Sequence, residues 1–178
     1  MDLIASFHSH KIKKFHFFSI NGLLPEKENL FFLFDTGAVC PVLGINSFFD
    51  KDNNPNYLEE KAFLEKIVRE ELSIQYINPR PSPLKAANNQ EVHTYPCMCK
   101  NVSISNTNEM DFYFDISFEE ISIPLLGSSF IDDCSYTHSM GSSLNITGIR
   151  EKAGSDFYTG INILDFNKVI ERFTVDSQ

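Results

Sequence analysis

Apolar and polar positions along the chain fall into short stretches cut by turn residues, a pattern of strands more than of helices. Residues 12–20, "IKKFHFFSI", have strand character with solvated lysines and stop at Asn21-Gly22, a strong turn dipeptide. The polar connection "PEKEN" leads into "LFFLF" (30–34), whose lack of alternation predicts a strand buried on both faces. Just beyond an Asp-Thr-Gly-Ala turn, "PVLGINSFFD" (41–50) predicts a short strand and one helical turn.

Residues 57–72, "YLEEKAFLEKIVREEL", are the strongest helix signal. Leu64, Val68 and Leu72 recur every fourth residue, Phe63 and Ile67 lie beside them, and good helix formers fill the rest. Asn54 or Asn56 supplies the N-cap. The prolines at 79, 81 and 83 then exclude both helix and central strand. "LKAANNQEVHTYPCMCKNVSI" (84–104) predicts two extended pieces joined at Asn88-Asn89, because asparagine tolerates the left-handed turn conformation.

In "MDFYFDISF" (110–118), Phe112, Phe114, Ile116 and Phe118 point one way and Asp111, Tyr113, Asp115 and Ser117 the other. "ISIPLLGSSFIDD" (121–133) predicts a buried strand, a glycine turn and a short helical turn. "SLNITGI" (143–149) predicts a strand, and "INILDFNKVIERFTV" (161–175) a hairpin turning at Asn167-Lys168 in preference to a helix. No repeat or linker divides the chain, and the alternation of strand and helix that a doubly wound sheet needs is missing. One mostly antiparallel β domain with a helical insertion is expected over residues 1–178.

Composition sharpens the β expectation and closes off other classes. Phenylalanine is unusually frequent at 17 copies among 178 residues, and aromatic rings suit half-buried pleated surfaces. A formal net charge of −9 disfavours a nucleic-acid or anionic-membrane surface. No stretch approaches the ~20 apolar residues of a membrane span. The start, "MDLIASFHSH", lacks the charged and continuous apolar regions of a secretory signal. Cys40, Cys97, Cys99 and Cys134 fit neither a disulfide nor a zinc framework, so reduced thiols in a cytoplasmic core are expected, with no metal and no cofactor.

The candidate chemistry lies in the order of three features. An apolar strand runs into Asp35-Thr36-Gly37-Ala38, a hairpin with a small polar tip follows at "KAANNQE", and a second apolar strand ends in glycine at "IPLLGSSFI". Together, over roughly residues 12–135, they resemble the retropepsin-like aspartic peptidases, the single-domain relatives of the retroviral proteases. The resemblance implies a mainly β, single-lobe acid-protease barrel with a helical insertion at about 57–72 and a C-terminal extension over about 136–178. Phosphate-handling proteins also use Asp-x-Gly motifs, but the Gly-rich loop or further acidic motifs they require are missing.

By that resemblance Asp35 is the catalytic acid, and Thr36, Gly37 and Ala38 support the active loop. Thr36 would hydrogen-bond across a two-fold axis, Gly37 would admit substrate backbone, and Gly127 would let the Leu125-Leu126 strand turn beneath the loop. Ala87, Asn88 and Asn89 would form a flap over an extended peptide. One Asp-Thr-Gly per chain cannot make a carboxyl dyad, so a homodimer acting on a peptide or protein substrate is implied. Val39 and Ser128 replace the acid and arginine that retroviral members tend to carry, which points to a cellular, bacterial branch. Two other readings remain open: a non-catalytic peptide-binding module with the same dimer, and a monomeric domain in which Asp35 only caps a turn.

Overall fold

The computed structural model describes residues 3–23, 30–48, 65–66, 72–77, 83–86, 88–105, 109–117, 119 and 121–158. Of the predicted 57–72 helix only Glu65, Lys66 and Leu72 are described, the first two being helical. Ala87 of the expected flap, Phe118 of the expected alternation and the hairpin expected over 161–175 lie outside the described residues.

The structure is mainly β. Its strands are β1 (Leu3–His8), β2 (His10–Ile12), β3 (Phe15–Asn21), β4 (Leu30–Leu33), β5 (Val42–Gly44), β6 (Ile74–Tyr76), β7 (Leu84–Lys85), β8 (Glu91–Val92), β9 (Thr94–Ile104), β10 (Met110–Ser117), β11 (Cys134–His138) and β12 (Leu144–Ile149). A 3-10 turn at Ile45–Ser47, a short helix at Ser128–Ile131 and a second 3-10 turn at Ser155–Tyr158 complete the described elements.

The main sheet runs β2-β3-β9-β10-β5, with β4 on β3 and β6 on β9. It returns on itself through one residue: Leu125 bridges Leu33 of β4 in parallel and Val42 of β5 antiparallel. The ring so formed encloses a core of phenylalanines in which Phe18, Phe32, Phe112, Phe114 and Phe130 are fully buried. The Phe112 ring meets Phe32 and Phe130 edge-on at 5.8 Å and stacks on Phe114 at 5.5 Å, geometries that aromatic quadrupoles favour. Pro96 sits within β9 opposite Asp115, whose own N–H turns the other way to Pro41 O at 2.9 Å, so the missing proline donor leaves no gap there.

Two sequence expectations change. The single strand over 12–20 is two strands, because Lys13 takes a positive φ of 56° and the Lys13-Lys14 pair forms a solvated turn between Ile12 and Phe15. β4 is not buried on both faces: Phe32 is fully covered, whereas Phe31 is 44% exposed. On its outward face the His10 ring packs edge-on against Phe31 at 5.3 Å.

The second sheet, β1-β12-β11, adds Leu144, Ile146 and Ile149 to the same core. The seam between the sheets is polar. Ser9 Oγ lies 2.8 Å from His16 Nδ1, while Leu144 N–H donates to Ser9 Oγ at 3.0 Å and reaches Nδ1 at 3.4 Å. With the Leu144 proton on one side of Oγ, the serine proton is directed to Nδ1, which then acts as the acceptor of a neutral ring. His138 packs edge-on against His16 at 4.8 Å. Burial first, then the charges of His138 and Lys11, hold His16 below its ordinary value of 6.5.

The folded state therefore resists protonation of His16 more than the unfolded chain does. Stability from this seam is complete above pH 6.5 and is lost as pH falls toward the lowered folded value. His16→Asn keeps an acceptor near Nδ1 but does not titrate. Thermal melts should show the wild type's advantage over this variant shrinking between about pH 7.5 and about pH 5. An advantage that stays constant over that range would show that the seam does not sense protons.

Candidate active site

The Asp-Thr-Gly-Ala stretch forms a tight turn between β4 and β5, and both of its arms are pinned by residues 124–129. Leu33 N–H donates to Pro124 O and Leu126 N–H to Leu33 O, both at 2.8 Å. On the other arm, Val42 and Leu125 exchange backbone bonds at 3.0 and 2.9 Å. Ser128 and Ser129, which open the short helix, donate their N–H groups to Ala38 O at 2.7 Å and Val39 O at 3.0 Å. These first-turn donors have no partner within the helix, so the loop carbonyls satisfy them and are fixed in return.

Within the turn, Asp35 is half-buried and Thr36 and Gly37 are exposed. Asp35 Oδ1 accepts the Gly37 N–H at 2.9 Å, and the Ala38 N–H reaches Asp35 O at 3.3 Å. Among the described residues Oδ2 accepts no hydrogen bond. A side chain at Gly37 would place its Cβ 3.2 Å from Oδ1 and crowd the carboxylate. The Oδ1 contact is also that of an Asx turn, so the local geometry serves both a presented acid and a plain turn residue.

Gly127 meets a harder constraint. Its φ is 74°, and a Cβ there would lie 2.1 Å from the Cys40 carbonyl carbon. The backbone beneath the turn passes where no side chain fits.

The predicted hairpin forms: Leu84 pairs with Val92 and Lys85 with Glu91. Asn89 takes a φ of 65°, its N–H bonding Ala86 O at 2.9 Å, and Gln90 N–H bonds Asn88 Oδ1 at 3.0 Å. Asn88 and Asn89 are exposed at the tip.

The sequence reading missed a buried acid. Asp115 is 0% exposed. Its Oδ2 accepts the Thr94 hydroxyl at 2.6 Å, and its Oδ1 accepts the Tyr158 hydroxyl at 2.7 Å and the Cys40 thiol at 3.7 Å. Alternation placed Asp115 correctly on the face opposite Phe114. What it lacked was the cover, which arrives with Tyr158 from far along the chain.

Other polar side chains outside the turn serve the fold. His138 packs on His16, and Ser142 Oγ donates to Ser139 O at 2.8 Å within a turn. Asp133 accepts from Arg150 at 3.3 Å and from Gly154 N–H at 2.8 Å. No disulfide joins the four cysteines. Burial pushes the Cys97 thiol well up, with Asp115 and Cys99 adding to it, and raises Cys99 and Cys134 to about 12, with Asp111 and Asp133 as the lesser causes. Such thiols stay protonated and unreactive at neutral pH. Among the described residues no three His, Cys, Asp or Glu side chains are grouped to hold a metal ion, and no helix is long and apolar enough to cross a membrane. Two open clefts of about 230 and 470 Å³ lie along β11 and β12, the larger reaching His8 of β1, and neither includes Asp35 or the hairpin.

No family model matches this chain, and no curated protein matches it. Among solved structures it is similar to a retropepsin-like aspartic protease from Rickettsia conorii, with a TM-score of 0.48 and 12% identity over 84% of this chain and 96% of that one.

Gly127→Ala should destabilise the protein by about 3 kcal/mol, combining left-handed strain with overlap against Cys40. Chemical unfolding measures this directly, and a loss below about 1 kcal/mol would show that the crossing strand is not held where the backbone bonds place it.

Proposed function

We propose that this chain is an aspartic endopeptidase acting as a homodimer, with Asp35 of each protomer meeting its mate across a two-fold axis. The observation that carries this reading is the presentation of Asp35. Its carboxyl group stands half-exposed on a turn whose two arms are anchored, with one oxygen oriented by Gly37 N–H. A group meant only to cap a turn needs no such support on both sides.

Hydrolysing an amide without a metal or a covalent intermediate takes one carboxylate to activate water and one carboxylic acid to protonate the carbonyl oxygen. Two carboxyl groups about 3 Å apart cannot both ionise readily, so they share one proton and divide these roles. The resulting titration belongs to the pair, and activity follows a bell-shaped pH profile. Thr36 and Ala38 shape the paired loops, and Asn88 and Asn89, with Ala87, cover an extended peptide held through its main chain. Cysteines outside any disulfide fit a reducing, cytoplasmic setting.

Incubating the wild type and Asp35→Asn with a diverse peptide library across about pH 4 to 8, with products read by mass spectrometry, tests the assignment. Cleavage by the wild type should fall at least a thousandfold in the variant, roughly the upper part of the range attributed to acid–base catalysis. Sedimentation should give a dimer for both. A dimer that cuts nothing would leave a peptide-binding module, and a monomer would leave Asp35 a turn residue.

A further inference from the structure

A buried carboxylate is a costly way to fill a core position, since its desolvation must be offset by hydrogen bonds of good geometry. Asp115 is the only fully buried acid among the described residues. Its donors come from three separate stretches of chain. Cys40 ends the Asp35 turn, Thr94 opens β9 directly after the β7–β8 hairpin, and Tyr158 lies in the 3-10 turn that follows β12. The Asp115 backbone adds a fourth tie, donating to Pro41 O at 2.9 Å.

This arrangement is directional in a way that apolar packing is not. A leucine at position 115 would fill the space but would tolerate small slides of β9 against the turn. A carboxylate with hydroxyl donors at 2.6 and 2.7 Å fixes Thr94 and Tyr158 relative to β10 and, through Cys40 and Pro41, relative to the exit of the Asp35 turn. Tyr158 also seals the site, its ring packing 5.7 Å from Tyr113 beside Met98 and Ile77.

We infer that Asp115 is a positioning residue that locks the root of the β7–β8 hairpin to the exit of the Asp35 turn. The inference rests on the peptidase reading for its functional meaning: the lock sets the distance at which the hairpin closes on a bound peptide. It acts through Thr94 and touches no substrate itself. The C-terminal extension thereby reaches the site, because Tyr158 holds the same carboxylate.

The test uses the full-length protein and three variants besides Asp115→Asn. Thr94→Val removes the hydroxyl at nearly constant shape, Thr94→Ser restores a donor, and Tyr158→Phe removes the second hydroxyl. Amide hydrogen exchange, which needs no substrate, should rise about tenfold in residues 84–92 for Thr94→Val, with β3 and the centre of β10 unchanged, and return toward wild type in Thr94→Ser. Peptide turnover should lose about tenfold in kcat/KM in Thr94→Val, mainly through KM, because Asp35 itself is undisturbed. Tyr158→Phe should move both readouts in the same direction.

Unchanged hairpin exchange in Thr94→Val and Tyr158→Phe would overturn the lock, whatever the protein cleaves. A rise spread evenly over the core would also overturn it, since that is general destabilisation. Absence of cleavage by the wild type, checked against Asp35→Asn, would instead remove the peptidase reading and with it the functional meaning of the lock. The two failures are read by different instruments and cannot be confused.

Discussion

The passage of residues 124–126 between β4 and β5 is the constraint on which the rest of the molecule depends. Each backbone bond there contributes only about 1 kcal/mol net, but each would cost about 1–3 kcal/mol if left buried and unmade. The set therefore behaves as all or none. With it in place, the sheet closes into a ring, Leu126 and Phe130 enter the core, and the turn between β4 and β5 is gripped on both arms. Gly127 follows as a necessity, because the strand leaves the crossing against the carbonyl of Cys40.

Around that crossing the core is almost wholly aromatic and aliphatic, and three of its buried polar residues sit at joints. Ser9 and His16 lie where the second sheet meets the first, and Asp115 lies where three distant stretches converge behind the turn. The two joints differ in kind. The histidine seam is built around a neutral ring beside His138 and Lys11, so acid works against it. The aspartate joint gathers hydroxyl and thiol donors around one carboxyl group. Fixed register, more than added stability, is what such buried polar groups supply when every donor is matched.

Much of this was legible in the chain itself. The turn after Asn21, the strand and 3-10 turn after residue 41, the hairpin at Asn88-Asn89, the alternation of β10 and the strand at 144–149 all follow from local chemistry. What failed depended on neighbours distant in sequence. "LFFLF" resembles a doubly buried strand, yet Phe31 stands 44% exposed beside the His10 ring. "IKKFHFFSI" resembles one strand, yet two lysines form a turn when β2 folds back on β3. For the site, the Asp35 turn and the glycine beneath it stood out by motif. Asp115 did not, because an acid alternating with phenylalanines looks solvated until Tyr158 is placed over it.

The ring closure also dictates an order of events. Leu125 joins Leu33 and Val42 across about half of the chain's sequence, so its closure costs more loop entropy than the hairpins of local partners and is expected to follow them. During synthesis the N-terminal strands leave the ribosome well before Leu125 does, with β4 and β5 still open toward each other. The Asp35 turn is gripped on both arms only once Leu125 has arrived. A chain truncated before the crossing would carry the whole Asp-Thr-Gly-Ala motif without the segment that grips both of its arms.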